Sequence, residues 1–266
     1  MAEVRICDVT MRDGMQVLNR RNVVPVEIRL QLFDALRRAR IPYLEVGSFV
    51  NPRVIPAMAD TPELLAAIRP PAGTDLAVLV PTLSYYRKLA EQDRERKVTM
   101  VALFLSASEA YSRANTRMDK DRAFAAAAEV AAAARADGYR LRGYLSCAFR
   151  DLSPRGAPVD PEVVRDDCER LLEMGCQSVS LSDTDGRATP QDVRRVAGAM
   201  TRRLGPERVG VHLHDRYGQG IANALVAHQE GVRIFDCSVG GIGGTRAVKH
   251  SVGNIATEEL VALLEG

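Results

Sequence analysis

Short apolar, β-branched runs alternate with amphipathic stretches from one end of this 266-residue chain to the other. Runs of the first kind read as buried strands of a parallel sheet, and apolar residues spaced three and four apart read as helix faces. The pattern predicts strands near Val4–Asp8, Tyr43–Gly47, Asp75–Val80, Val98–Leu105, Leu141–Ser146, Ser178–Asp183, Val209–His214 and Ile234–Ser238. A helical pattern follows each, at roughly Val26–Arg40, Pro62–Ile68, Ser84–Asp93, Lys120–Asp137, Pro161–Met174, Pro190–Leu204, Ile221–Glu230 and Thr257–Leu264. Several of these open on the Pro, Asp or Thr expected at a helix start. Eight strand–helix units in series predict an α/β chain folded as a single (β/α)8 TIM barrel over residues 1–266, a length that such barrels often reach as one domain.

An open doubly wound sheet is the competing arrangement, and it usually carries a glycine-rich nucleotide turn after its first strand. Here that turn reads DVTMRDGMQ, with one glycine. The Ala-rich AFAAAAEVAAAARADG carries charged residues at helical spacing and Gly138 where a C-cap would sit, so it reads as a packed outer helix. No linker divides the chain.

Lys and Arg total 36 against 34 Asp and Glu, which leaves no basic excess for nucleic acid or an anionic membrane surface. The expected partner is a small molecule. No run of ~18 apolar residues occurs, and MAEVRICDVT lacks the features of a secretory signal, so a soluble cytoplasmic protein is expected. Cys7, Cys147, Cys168, Cys176 and Cys237 are odd in number and scattered, without a CxxC pair. They read as buried thiols rather than as disulfides or a structural zinc site.

Chemistry in a barrel of this kind sits at the C-terminal ends of the strands, where the loops converge on one mouth. Those ends carry Arg12 and Asp13, Glu45 and Ser48, Ser146, Ser182 and Asp183, His212 and His214, and the loop from Gly240 to Asn254. Residues two apart on a strand share a face, so His212 and His214 would both project into the mouth. Asp13, on the strand that neighbours the eighth in a closed ring, can add a carboxylate. Two imidazoles with oxygen ligands suit Mn²⁺, Mg²⁺ or Zn²⁺, and the ligand set alone does not choose among them. Each signal has a plainer reading: core histidines, a surface ion pair for Arg12–Asp13, a helix cap for Glu45, a simple turn for GGIGG. Their coincidence at one end of the barrel carries the weight.

The blocks RDGMQ, LEVGSFVNPRVIPAMAD, RGYLSCAF, SLSDT, VHLHDRYGQGIANALVAHQEGV and GGIGG…SVGNIATEELVALLEG resemble, in order, the 3-hydroxy-3-methylglutaryl-CoA lyase branch of the DRE-TIM metallolyases. The resemblance spans nearly the whole chain. It implies that Asp13, His212, His214 and Asn254 hold a divalent cation, Mg²⁺ or Mn²⁺ being usual in the family. It also implies that Arg12 stabilises an enolate oxygen, that Glu45 and Asp183 lie beside metal and substrate, and that the Gly240–Gly244 loop closes over the site. A homodimer is the expected assembly. The related isopropylmalate, homocitrate and citramalate synthases share the RDGxQ start but tend to show HxHND, where this chain has Asp215-Arg216-Tyr217.

The sequence departs from the lyase pattern in three places. The family's lid cysteine is replaced by Thr245, a far weaker acid than a thiol. The stretch after Gln16 reads VLNRRN, two residues longer than usual, with Arg20 and Arg21 keeping positive charge there. The sequence stops at Gly266, where the lyases continue with a segment on the CoA side of the pocket, and TRAVKH adds Arg246, Lys249 and His250 to the last loop. The expected activity is therefore metal-dependent cleavage of a carbon–carbon bond in a hydroxyacyl thioester, carried on CoA or a carrier protein, or in a free hydroxy acid, with a substrate other than that of the standard lyase. A condensing enzyme joining an acyl thioester to a keto acid and a non-catalytic metal-binding barrel are the alternatives.

Overall fold

The ring of strands closes. In the computed structural model, which describes residues 3–19, 21–153, 155–245 and 251–265, eight parallel strands follow one another in chain order. They are β1 (Arg5–Asp8), β2 (Tyr43–Ser48), β3 (Asp75–Leu79), β4 (Met100–Ser106), β5 (Arg140–Ser146), β6 (Cys176–Ser182), β7 (Val209–His212) and β8 (Ile234–Cys237). β8 pairs with β1, Arg5 opposite Ile234 and Asp8 opposite Cys237, which rules out the open sheet. Arg20, Arg246, Lys249 and His250 lie outside the described residues.

The helices form the outer layer: α1 (Val26–Arg38), α2 (Thr61–Ala67), α3 (Leu83–Gln92), α4 (Glu109–Thr116), α5 (Lys120–Ala136), α6 (Pro161–Glu173), α7 (Pro190–Leu204), α8 (Gln219–Gln229) and α9 (Thr257–Glu265). α4, α5, α6 and α7 each start at a capping side chain. Asp160 accepts from the N–H of Glu162 ahead of Pro161, and Thr189 and Asp192 form a reciprocal capping box around Pro190. Gly138, at φ +83°, ends the Ala-rich α5 in the left-handed region that glycine tolerates best.

Three local features differ from the sequence expectation. The connection after β1 is not a plain loop: Thr10–Gly14 winds into one π-helical turn, a rare conformation that concentrates at functional sites. A ninth helix among the described residues, α4, fills what the pattern left as connection, capped by Ser108, whose hydroxyl accepts from the N–H of Tyr111 at 3.3 Å. β7 stops at His212, and His214 lies just beyond it, bridged to Asn254.

Strand parity sorts the core into two. Outward residues such as Leu44, Val46, Val101, Leu103, Val179 and Val211 pack against the helices in one large cluster. Inward residues make smaller apolar groups, Cys7, Tyr43, Ala77, Met100 and Ile234 in one and Leu79, Ala102 and Tyr144 in another. The rest of the interior is polar: Glu45, Arg142, Ser180, His212 and Asp236 are all buried. All five cysteines are buried free thiols, as their scatter implied. No helix among the described residues is long and apolar enough to cross a membrane.

Candidate active site

His212, the last residue of β7, points inward, and His214 follows it onto the same face, the two rings lying 5.0 Å apart between centroids. Each ring is held by its Nδ1. That of His214 donates to the carbonyl oxygen of Asp183 at 2.8 Å, and that of His212 faces Asp236 Oδ2 at 3.2 Å. A ring whose Nδ1 carries the proton presents a lone pair at Nε2. Both Nε2 atoms point at Asp13, at 3.8 Å from His212 and 3.7 Å from His214 to Oδ2, too long for hydrogen bonds.

Ligand atoms of Asp13, His212 and His214 all fall within 4.8 Å of one another. Nε2 of His214 and Oδ1 of Asn254 are buried and have no hydrogen-bond partner. Buried polar atoms are rarely left unsatisfied, and here the unpaired His214 Nε2 faces the Asp13 carboxylate, whose hydrogen bonds come from donors on Arg12, Gln16, Gly244 and Asn254. This donor set fits a divalent cation. Burial alone would raise the Asp13 carboxyl, but Arg12 and the two imidazoles hold it well below the usual carboxylate range.

The π-helical turn delivers Arg12 and Asp13 to the mouth together. Arg12 Nη1 donates to Asp13 Oδ1 at 2.6 Å, and Nε and Nη2 both reach Glu45 Oε2 at 2.8 Å. Tyr144 donates its hydroxyl to the same Oε2 at 2.9 Å, and the guanidinium lies 4.9 Å from the centre of its ring. Arg12, Asp13 and Glu45 are all at most 5% exposed, so neither the surface-pair reading nor the helix-cap reading survives. Asp183, one residue past β6, takes the N–H of Ala188 on both oxygens at 3.1 and 3.2 Å, and burial pushes its carboxyl up to about 7.

Two residues that order the site escaped the sequence reading. Arg142 on β5 donates from Nη2 to Asp236 Oδ1 on β8 at 2.5 Å, and Ser180 donates to Oδ2 at 2.8 Å, so Asp236 is fixed before it meets His212. Burial opposes its charge, but Arg142 and His212 hold the Asp236 carboxyl below its ordinary range. The signal was present: a charged residue at an inward position of RLRGYLS and another in IFDC.

The glycine loop lies over this cluster. Gly244 donates its N–H to Asp13 Oδ2 at 3.3 Å and accepts from Gln16 Nε2 at 3.0 Å, while Asn254 Nδ2 donates to Asp13 Oδ2 and to the carbonyl of Ile242. A Cβ on Gly243 would collide with the Asn254 amide and stand 3.1 Å from Asp13 Oδ2, and φ there is +137°. The backbone must come this close. Thr245 follows, its N–H donated to Ser251 Oγ at 2.7 Å.

The mouth thus joins Arg12–Asp13 from one end of the ring to His212 and His214 from the other, beneath a glycine lid, which is the layout of a metallolyase of the DRE-TIM class. The HMGL-like family model matches residues 3–266. The chain belongs to that family, in its 3-hydroxy-3-methylglutaryl-CoA lyase-like branch, whose members are carbon–carbon lyases. It is 38% identical over 264 residues to a 3-hydroxy-3-isohexenylglutaryl-CoA/hydroxymethylglutaryl-CoA lyase of Pseudomonas aeruginosa, covering 99% of this chain and 85% of that protein. The crystal structure of a hydroxymethylglutaryl-CoA lyase from that organism superposes with a TM-score of 0.91, at 38% identity over 99% of this chain and 85% of that one. An Acinetobacter baumannii HMG-CoA lyase solved with coenzyme A and 3-methylmalate matches at a TM-score of 0.89 and 29% identity, over 99% and 83% of the two chains.

Proposed function

We propose that this protein cleaves the carbon–carbon bond of a hydroxyacyl thioester carried on CoA, with a substrate whose reaction needs no thiol on the lid. The observation that carries the reading is the convergence of Asp13 with two imidazoles whose Nε2 lone pairs are both aimed at it. Asp13, His212, His214 and Asn254 are the residues that would hold a divalent cation, Mg²⁺ or Mn²⁺. When bound, such an ion supplies Lewis acidity toward the substrate's oxygens.

The chain's own groups do the rest. Arg12 is fixed on three sides by Asp13, Glu45 and Tyr144, so its remaining N–H groups are preorganised for the oxygen on which enolate charge develops. Glu45 spends one oxygen on Arg12 and Tyr144, which makes it the residue that orients the guanidinium. Asp183, just past the strand beside His212 and holding the N–H of Ala188 on both oxygens, is the group that takes the substrate's hydroxyl proton. The glycine lid excludes water from the enolate.

Two relatives support the CoA carrier: the A. baumannii lyase binds coenzyme A, and the P. aeruginosa lyase is named for two glutaryl-CoA substrates that differ in the 3-substituent. The cytoplasm is the proposed location. The test is a panel of hydroxyacyl-CoAs, carrier-protein thioesters and free hydroxy acids, assayed with Mg²⁺ or Mn²⁺ for a keto product. Cleavage of a CoA ester supports the reading; turnover of free acids alone would move the protein out of thioester chemistry, and condensation without cleavage would make it a synthase.

A further inference from the structure

Arg29 is among the largest side chains in the protein to be fully enclosed, at 1% exposure, and no role in the chemistry has yet been given to it. It projects from the start of α1 toward the outer wall of the barrel. Its Nη1 is ion-paired with Asp60, just before α2. Its Nη2 donates to two backbone carbonyls, that of Val46 at 2.9 Å and, by a longer bond, that of Met11 at 3.4 Å. Met11 is the residue before Arg12, and Val46 is the residue after Glu45. Both carbonyls belong to irregular backbone. On β2, Glu45 lies opposite Ala77 and Gly47 opposite Val78, so Val46 is a bulge residue without a counterpart on β3. A bulge disrupts the ladder locally, and a buried carbonyl left without a donor is costly. Met11 lies within the π-helical turn Thr10–Gly14, the other departure from regular structure at this end of the barrel. One guanidinium therefore supports the two irregular segments from which Arg12 and Glu45 reach each other.

We propose that Arg29 is a positioning residue for the reaction: by gripping the backbone beside Arg12 and beside Glu45 it fixes the separation at which the two side chains meet, and so aims the Arg12 guanidinium. The proposal deepens the reading of Arg12 as donor to the developing enolate and rests on that reading for its effect on turnover. The contact it controls is the one in which Arg12 Nε and Nη2 both reach Glu45 Oε2 at 2.8 Å. A shift of either backbone segment would lengthen that contact, and catalysis by a fixed donor is sensitive to small misplacements. Lysine could not take over the task, because an ammonium is a single point of donors, whereas the planar fork holds Asp60 on one nitrogen and the two carbonyls on another. The competing role is a purely structural one, a tie between α1 and α2 through Asp60.

Nuclear magnetic resonance of the Arg12 Nε–H, in the whole chain without substrate or metal, reads the Arg12–Glu45 contact directly, and Arg12→Lys assigns the signal by removing it. Arg29→Met keeps an apolar stem and deletes the donors; exchange of the Arg12 proton should quicken by about 10-fold, the scale of one hydrogen bond to a charged group. Arg29→Lys should quicken it by about 3-fold or more, and it decides on the same signal if Arg29→Met does not fold. Leu171→Ala, a buried site on α6, lowers Tm by opening a cavity and should leave the Arg12 proton as it is. Unchanged Arg12 exchange in the Arg29 variants would overturn the proposal and leave Arg29 a tie between helices; equal quickening in Leu171→Ala would overturn it by making the effect one of general stability. With a CoA ester that is turned over, Arg29→Lys should lower kcat by about 10-fold with KM little changed, and a change in KM alone would also overturn the proposal. The exchange measurement needs no substrate, so failure of every ester in the panel would sink the proposed function and leave the grip of Arg29 on Arg12 and Glu45 to be judged on its own data.

Discussion

Asp236 holds His212 from inside the barrel, its Oδ2 at 3.2 Å from the imidazole Nδ1 while its Oδ1 takes Arg142 at 2.5 Å. The carboxylate is thus anchored by a buried cation below and fixes the ring above, so that Nε2 faces Asp13.

Removing that anchor should loosen the metal more than it changes the mouth. Asp236→Asn is expected to weaken Mn²⁺ binding by ~10- to 100-fold, the usual cost of losing a carboxylate behind a metal-binding histidine, read by calorimetry. It should also lower Tm, because Arg142 would be left buried without its charge partner, a loss of roughly 3–5 kcal/mol. Replacing His212 and His214 together with Ala should abolish occupancy in protein purified without chelator. Full metal content in that double variant would place the ion elsewhere.

Arg12 is expected to act on the transition state rather than on binding. Arg12→Lys keeps the charge but cannot span Asp13 and Glu45 with a planar fork. The expected outcome is a fall in kcat of ~100-fold or more with little change in KM, as for the loss of one preorganised donor. A change in KM alone would make Arg12 a substrate-holding residue.

Thr245 stands where the resemblance to the lyases implies a cysteine. Its hydroxyl is not acidic near neutral pH, so little or no cleavage of 3-hydroxy-3-methylglutaryl-CoA is expected from the unmodified protein, and Thr245→Cys should raise any trace of it. Coupled assay of acetyl-CoA release checks both. Rapid turnover by the unmodified protein would return it to the ordinary lyases.

Asp8 gives a pH dependence outside the candidate site. Burial pushes its carboxyl up to about 6 despite hydrogen bonds from Thr10 and Thr257, against 3.8 for a free carboxyl. Between these values the folded chain keeps a proton that the unfolded chain has released, so this group removes stability as pH rises from about 4 to about 6. Asp8→Asn does not titrate. Denaturant unfolding across that range should show the variant gaining on the unmodified protein with rising pH, and a constant difference between the two would refute the assignment.

Much of the site was legible because strand ends are legible. His212 and His214 declared a shared face by their spacing, and the rings do share it although β7 ends between them. The Arg-Asp pair was visible, but its burial was not: RDG reads as a polar turn, and only the π-helical winding of Thr10–Gly14 turns both side chains inward. α4 was missed because Ser108 and Glu109 are a weak start signal and the helix is two turns long. Arg142 and Asp236 were passed over singly, since each charge in a strand makes sense only once its partner 94 residues away is known.

The sequence by itself determined the elements and their facing. A period of two and a period near four are local properties, and caps such as Asp160 and Thr189 act within one turn. Tertiary structure decided the partners. Barrel closure sets β1 beside β8 and brings Asp13 to His212, His214 and Asn254 across some two hundred residues, a meeting that no local pattern encodes because it depends on the summed twist and register of all eight strands. The same closure buries Asp13 beside Arg12 and the two imidazoles and Asp236 beside Arg142, and those neighbours, against the cost of burial, hold both carboxyls below their ordinary range.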